Sequence, residues 1–195
     1  MDVNIITISR EFGSGGRTVG KALAEKLGIP CYDSEIIEKV AEKSGFDKEY
    51  IADKGEYVRN TPLSGLFRSN YNYQSSNEDI IWSIQAKIIN ELADEGPCVI
   101  VGRCADYILK DRDDVFKAFI YSDIESRKKR IVEVYGESKD SPEKRIRDKD
   151  KRRASYYQIF TDMKWGDARN YDLSLNSGKI GIDGCVDILY DICKK

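Results

Sequence analysis

The chain has 195 residues, 32 basic against 34 acidic side chains, 41% hydrophobic and 10% aromatic residues, and not one histidine. This length supports a core that buries about 70% of the unfolded surface without a disulfide or metal staple. A formal charge of -2 excludes reliance on a broadly basic surface for nucleic-acid or membrane binding, and the missing histidine excludes histidine zinc sites, Ser-His-Asp triads and histidine phosphorelays.

Residues 3 to 8, VNIITI, read as a β-branched strand broken by GSGG, after which Val19, Leu23 and Leu27 repeat at helical spacing from about Arg17. Gly28-Ile29-Pro30 ends that helix, Cys31-Tyr32 is a short extended piece, and Ser34 is placed to cap a helix from Glu35 to Lys43. From Gly45 to about Asn77 the periodicity fades, but Tyr50, Tyr57, Leu63, Leu66, Phe67, Tyr71 and Tyr73 predict short helices and ordered loops covering a site. Ile80 to Leu92 reads as a helix and CVIVG at 98 to 102 as a central parallel strand. A short helix at Ala105 to Leu109, a strand at 116 to 121, helices over 125 to 160 broken near Gly136 to Pro142, a strand in DLSLNS and a helix from about Asp183 to Cys193 complete the chain.

Short apolar strands alternating with helices predict an α/β architecture, a parallel sheet covered on both faces. Cys31, Cys98, Cys104, Cys185 and Cys193 form no CxxC pair and adjoin apolar runs, so reduced, mostly buried thiols are expected. No export leader and no stretch of 18 apolar residues is present, which predicts a cytoplasmic chain without a membrane partner. No stable nucleic-acid partner is expected either, and the composition leaves monomer or homodimer open.

The sharpest signal is TISREFGSGGRTVGKALAEKLG, a glycine-rich turn between the first strand and a helix. Gly13, Ser14, Gly15, Gly16, Arg17 and Thr18 would wrap a phosphate in backbone N-H groups, with Thr18 able to turn its hydroxyl toward Mg2+. The string GxxxxGK[ST] is absent: Lys21 comes a helical turn too late, and Arg17 is the nearer cation. Arg103 follows the 98 to 102 strand at the sheet end where ligands bind. Residues 127 to 153 hold twelve basic against six acidic side chains, and helical spacing sets Lys149 and Arg153 on one side. That block reads either as a cationic cover over polyphosphate or as a solvated helix surface. Asp33, Asp123 and Asp150 read as cation or sugar ligands or as helix caps, and Tyr156, Tyr157 and Trp165 as base-stacking or packing residues.

Together, ITISREFGSGGRTVGKALAEKLGIPCYDSEII, CVIVGRCADYIL, FIYSDIESRKKRI and DKRRASYYQIFTDMKWGDARNYDLSLNS resemble the cytidylate kinase-like family of P-loop nucleoside monophosphate kinase folds. The resemblance implies a P-loop three-layer fold spanning 1 to 195, with a helical acceptor-side insertion at 35 to 95 and an arginine-rich lid at 125 to 160. It implies ATP and Mg2+ as cofactors and phosphoryl transfer to a nucleoside monophosphate, CMP or dCMP first. The alternatives are a nucleotide-binding regulatory protein or a kinase of another small molecule. Residues 13 to 18 would surround ATP phosphates, and Asp33, Ser34, Lys39, Arg103 and Asp150 would approach the acceptor. Arg17, Arg103, Lys149 and Arg153 would supply charge in catalysis, with Asp172, Asn176 and Ser177 near the adenine side. The chain departs from the family pattern where the P-loop lysine falls on Gly16, where Asp33-Ser34-Glu35 replaces Asp-Ser/Thr-Gly, where Glu38-Lys39 replaces Tyr-Arg, and where Gly102-Arg103-Cys104 replaces Gly-Arg-Asp.

Overall fold

The structure is a computed structural model that describes residues 3–54, 77–136, 138 and 140–194. Among these residues β1 (Ile5–Arg10), β2 (Cys31–Tyr32), β3 (Cys98–Val101), β4 (Val115–Tyr121) and β5 (Leu173–Asn176) form a sheet in the order β2-β3-β1-β4-β5, every pairing parallel. β1 holds the centre, with Ile5 opposite Cys98 on one side and Val115 on the other, and β3 lies interior beside it. Later strands are added on both sides of β1, which opens a crevice beyond its carboxyl end.

Parallel strands need crossovers. The connecting helices are α1 (Gly16–Leu27), α2 (Ser34–Ser44), α3 (Lys48–Lys54), α4 (Asn77–Asp94), α5 (Ala105–Ile108), α6 (Ile124–Glu133) and α7 (Pro142–Thr161), with a 3-10 turn at Ala168–Asn170, and α8 (Ser177–Cys193) follows the last strand. The two-residue period of the strands divides the core. Ile6, Ile8, Val99, Val101, Ala118 and Ile120 pack with Val19, Leu23 and Leu189 of α1 and α8. Ile5, Cys98 and Ile100 pack with Ile36, Val40, Ile81, Ile88 and Leu92 of α2 and α4. Both faces are covered, which is why these strands read as unbroken apolar runs.

α8 opens with a helical turn at 177–180 that precedes the stretch expected from about Asp183. Asn176 caps it by accepting from the Gly178 N-H at 3.1 Å, and Gly181 (φ 75°, ψ 171°) kinks it one turn later. Three glycines within seven residues hide that first turn from a propensity reading. Gly178 is required by contact: a Cβ there would lie 2.6 Å from Asp123 Oδ2.

The five cysteines are free thiols, with Cys98, Cys104 and Cys185 buried. Burial pushes the Cys31, Cys98, Cys185 and Cys193 thiols up to about 11. Tyr57, Leu63, Leu66, Phe67, Tyr71 and Tyr73, expected to help cover a site, lie outside the described residues, as does Lys139 of the basic block. Among the described residues no helix is long and apolar enough to cross a membrane.

Candidate active site

β1 delivers the chain into the glycine turn, and the turn is gripped from several sides. Gly13 and Gly15 have φ of 82° and 81°. A Cβ on Gly13 would lie 2.9 Å from Ile131 Cγ2 and 3.1 Å from the Arg127 carbonyl, so α6 packs against bare backbone there. Ser14 is buried, with its hydroxyl 2.9 Å from the carbonyls of both Glu11 and Ile120, and Ser177 Oγ donates to the Ser14 carbonyl at 2.5 Å. The Ser14 hydroxyl therefore anchors the turn to β4. α1 follows Gly15 without a side-chain cap, so its opening N-H groups suit an anion. Arg17 and Thr18 are exposed on the first turn of α1.

Beyond the turn lies a cleft of about 440 Å³ lined by Gly13, Gly15, Gly16 and Arg17, by Asp33, Ser34 and Ile37, and by Arg10, Arg103, Lys149 and Arg153. Arg17 Nε forms an ion pair with Asp33 Oδ2, tying the start of α1 to the start of α2. Arg103 sits in a run of positive φ: 74° at Gly102, 59° at Arg103 and 53° at Cys104. Such backbone is costly for residues with a β-carbon, and here it sets Arg103 in the lining of the cleft. Its Nη1 is buried with no hydrogen-bond partner. Lys149 and Arg153 reach the cleft from one face of α7, and Arg153 Nη1 donates to the Arg10 carbonyl at 3.1 Å.

Other expected site residues stand elsewhere. Lys39 is exposed on α2, with its charge near Glu91, whereas Ile37, two positions earlier and about 200° around the helix, is the residue that lines the cleft. Asp150 is engaged within the protein: its Oδ1 accepts from the Phe12 N-H at 2.8 Å and its Oδ2 pairs with Arg127. Much of the basic block is a solvated surface, with Lys128 on Glu125 and Arg147 on Glu143. Tyr156 and Tyr157 are buried, and Trp82 stacks on Phe160 beside them, so these aromatic rings pack α7 against α4. Trp165 meets Phe119 edge-on at 5.5 Å.

Several residues that hold the cleft in shape carried no motif. Arg127, 7% exposed, pairs with Glu11 and Asp150 and donates from Nε to the Phe12 carbonyl at 2.8 Å, which joins the turn to α6 and α7. Buried Gln85 donates to the Arg103 carbonyl at 3.1 Å. Asp106, 3% exposed, accepts from Tyr157 Oη at 2.7 Å and Ser9 Oγ at 3.3 Å, fastening α7 to the end of β1. Nothing in the short helix expected at Ala105 to Leu109 marks Asp106 as buried; its contacts with Tyr157 of α7 and Ser9 of β1 do.

Burial pushes the Asp106 carboxyl above its usual value, against the Tyr157 and Ser9 hydrogen bonds that lower it. A carboxyl with a raised folded-state value contributes stability at low pH that is lost as pH rises through that value. Asp106→Asn, which does not titrate, should therefore gain stability relative to wild type as pH rises from about 4 to about 7, measured by urea midpoints. A constant gap across that range would contradict the assignment.

A second cleft of about 250 Å³ opens on the other side of the turn, between Lys129 and Arg130 of α6, Val134 just after it, and Ser177-Gly178 of α8. Asn176 and Ser177 stand at its edge as cap and anchor. Asp172 is used in the sheet, where its carboxylate accepts from the Lys117 N-H at 2.8 Å.

A family model described as the cytidylate kinase-like family matches residues 5–179. A cytidylate kinase of Archaeoglobus fulgidus is 30% identical over 189 residues, covering 94% of this chain and 91% of the relative. Among solved structures, an uncharacterized protein from Eubacterium ventriosum superposes with a TM-score of 0.74 at 30% identity, with 98% of each chain covered. A shikimate kinase from Acinetobacter baumannii bound to shikimate superposes with a TM-score of 0.55 at 18% identity, covering 98% of this chain and 94% of that one, a likeness of fold.

Proposed function

Because this chain belongs to the cytidylate kinase-like family, we propose that it transfers the terminal phosphoryl group of ATP to a nucleoside monophosphate, with CMP or dCMP the leading acceptors. The observation that carries this reading is the single cleft into which the glycine turn, Arg103 from the end of β3, and Lys149 and Arg153 from α7 all converge. Two phosphates repel, and transfer between them is limited chiefly by positioning and charge. An acceptor phosphate is already anionic at neutral pH, so no strong base is required and the lack of histidine costs nothing.

Two features suit the turn to a polyphosphate: α1 opens after Gly15 without a side-chain cap, and the buried Arg103 Nη1 lacks a protein partner. Among the described residues no group of three or more acidic or cysteine side chains could hold a metal alone, and Thr18 is the hydroxyl offered near the turn. Mg2+ held partly by Thr18 would neutralise charge on the donor phosphates. Asp33 and Ser34 would face the acceptor, α7 would close over the donor with Lys149 and Arg153, and the donor base would take the cleft between Arg130 and Gly178.

The test supplies Mg2+-ATP with CMP, dCMP, UMP, AMP, shikimate and gluconate, and quantifies ADP and phosphorylated product. CMP or dCMP phosphorylation is the expected result, and transfer only to a non-nucleotide would assign a different acceptor class. The glycine at position 16 favours one second reading, a nucleotide-binding regulatory protein, which Mg2+-ATP binding without turnover across the panel would identify.

A further inference from the structure

The side chain of Arg10, the last residue of β1, occupies space that two glycines leave open. A Cβ on Gly16 would overlap Arg10 Cβ and stand 3.1 Å from Arg10 Cγ. A Cβ on Gly102 would overlap Arg10 Nη1 and stand 2.7 Å from Arg10 Cζ. The stem of Arg10 therefore crosses the start of α1, and its guanidinium lies over Gly102, next to Arg103. Arg10 lines the main cleft beside the glycine turn and also borders a small cavity of about 30 Å³ shared with Arg103 and Arg153. Position 16 is where a GxxxxGK loop would carry its lysine, the group that reaches the β- and γ-phosphates.

We propose that Arg10 supplies the cation of this phosphate loop, relocated from the start of α1 to the end of β1, and that it binds the terminal phosphate of a nucleoside triphosphate. This rests on the phosphotransferase reading above and names the residue that grips the donor. Arg17, the cation next to position 16 in the chain, is exposed on the first turn of α1. A side chain at position 16 and an arginine at position 10 exclude each other, so glycine at 16 is the counterpart of the relocation and not a simple loss. The exchange also changes the chemistry: a planar guanidinium offers paired donors to phosphate oxygens where an ammonium offers a point charge.

The geometry predicts a dependence between the two positions that no independent pair would show. Arg10→Ala, Arg10→Gly, Arg10→Lys, Gly16→Lys and the double exchange Arg10→Gly with Gly16→Lys are titrated with Mg2+-ATP and Mg2+-ADP by calorimetry, with thermal midpoints recorded for each. The double exchange converts REFGSGG to GEFGSGK and so restores the GxxxxGK spacing. Arg10→Ala should weaken Mg2+-ATP about thirtyfold and Mg2+-ADP less than about threefold, while Arg10→Lys keeps most of the preference for ATP. Gly16→Lys alone should be as damaging as Arg10→Ala, because the new side chain meets Arg10, and the double exchange should return Mg2+-ATP affinity to within about tenfold of wild type. Equal losses for ATP and ADP, no loss in Arg10→Ala, or a double exchange as weak as the product of its two singles would each overturn the proposal. Should Arg10→Ala fail to fold, Arg10→Lys and the double exchange decide it by the same ratios. Wild-type protein that binds Mg2+-ATP but phosphorylates no acceptor would remove the functional reading, and the ATP-to-ADP ratios would still judge Arg10.

Discussion

Exchange of Arg103 for alanine is expected to lower kcat for phosphoryl transfer about a thousandfold while leaving the thermal midpoint nearly unchanged. The two effects separate because of how the residue is held. Its left-handed backbone, between Gly102 and Cys104 in the same region, is strained by about 1–3 kcal/mol per non-glycine residue, and alanine keeps the β-carbon and so the same strain. The turn is fixed by backbone: Gln85 donates to the Arg103 carbonyl, and the Ala105 N-H donates to the Gly102 carbonyl at 3.1 Å. The guanidinium carries a buried Nη1 with no partner, so the fold loses little when it is removed. A donor left unmatched in the free protein is poised for an anion, and its absence is felt when charge accumulates between the two phosphates. Arg103→Lys should recover part of the rate, since it restores the charge without the planar fork. A kcat within about threefold of wild type in Arg103→Ala would remove Arg103 from the reaction.

The second large effect is on stability. Arg127→Met should destabilise the fold by about 3 kcal/mol, a fall in thermal midpoint of roughly 6–12 °C for a chain of this size. Arg127 is 7% exposed, and its removal leaves the partly buried Glu11 and Asp150 carboxylates facing each other with no cation between them. Burial already pushes the Glu11 carboxyl up, Arg127 lowers it and Asp150 raises it, so loss of Arg127 leaves only opposition to the charged form, save for the Ser122 N-H bond. The Glu11 carboxyl then has a raised folded-state value, and the sign follows: the penalty is largest near pH 7 and shrinks as pH falls through that value and the group takes up a proton. Urea midpoints at about pH 7 and about pH 4.5 check this, with a deficit independent of pH as the contrary result. Donor affinity should fall with stability, because the same side chain holds the Phe12 carbonyl one residue before Gly13.

The strand-glycine-helix opening and the alternation of short apolar runs with amphipathic helices were legible in the order of residues because both are local. A turn needing φ of 82° and 81° at Gly13 and Gly15 selects glycine whatever surrounds it, and a strand buried on both faces has to be apolar throughout. Lys149 and Arg153, four residues apart, lie on one side of a helix by geometry alone. The aromatic pair Tyr156-Tyr157 could have stacked on a ligand or on a neighbour with equal local logic, and its contacts with α4 decided that question.

Tertiary structure alone determined which charges met. Asp150 is 23 residues from Arg127 and 138 from Phe12, and it binds both. Asp106 joins Ser9 and Tyr157 from three separate elements. In the sequence, Arg10 is one more charged residue at the end of a strand, and Gly16 is a missing lysine. Sheet order brings the end of β1 against the start of α1 and the turn after β3, and only then does one side chain fill the space left by two glycines. Periodicity and turn chemistry act over a few residues and are written in the chain directly, whereas the partner of a charge depends on which remote segments the parallel sheet sets side by side.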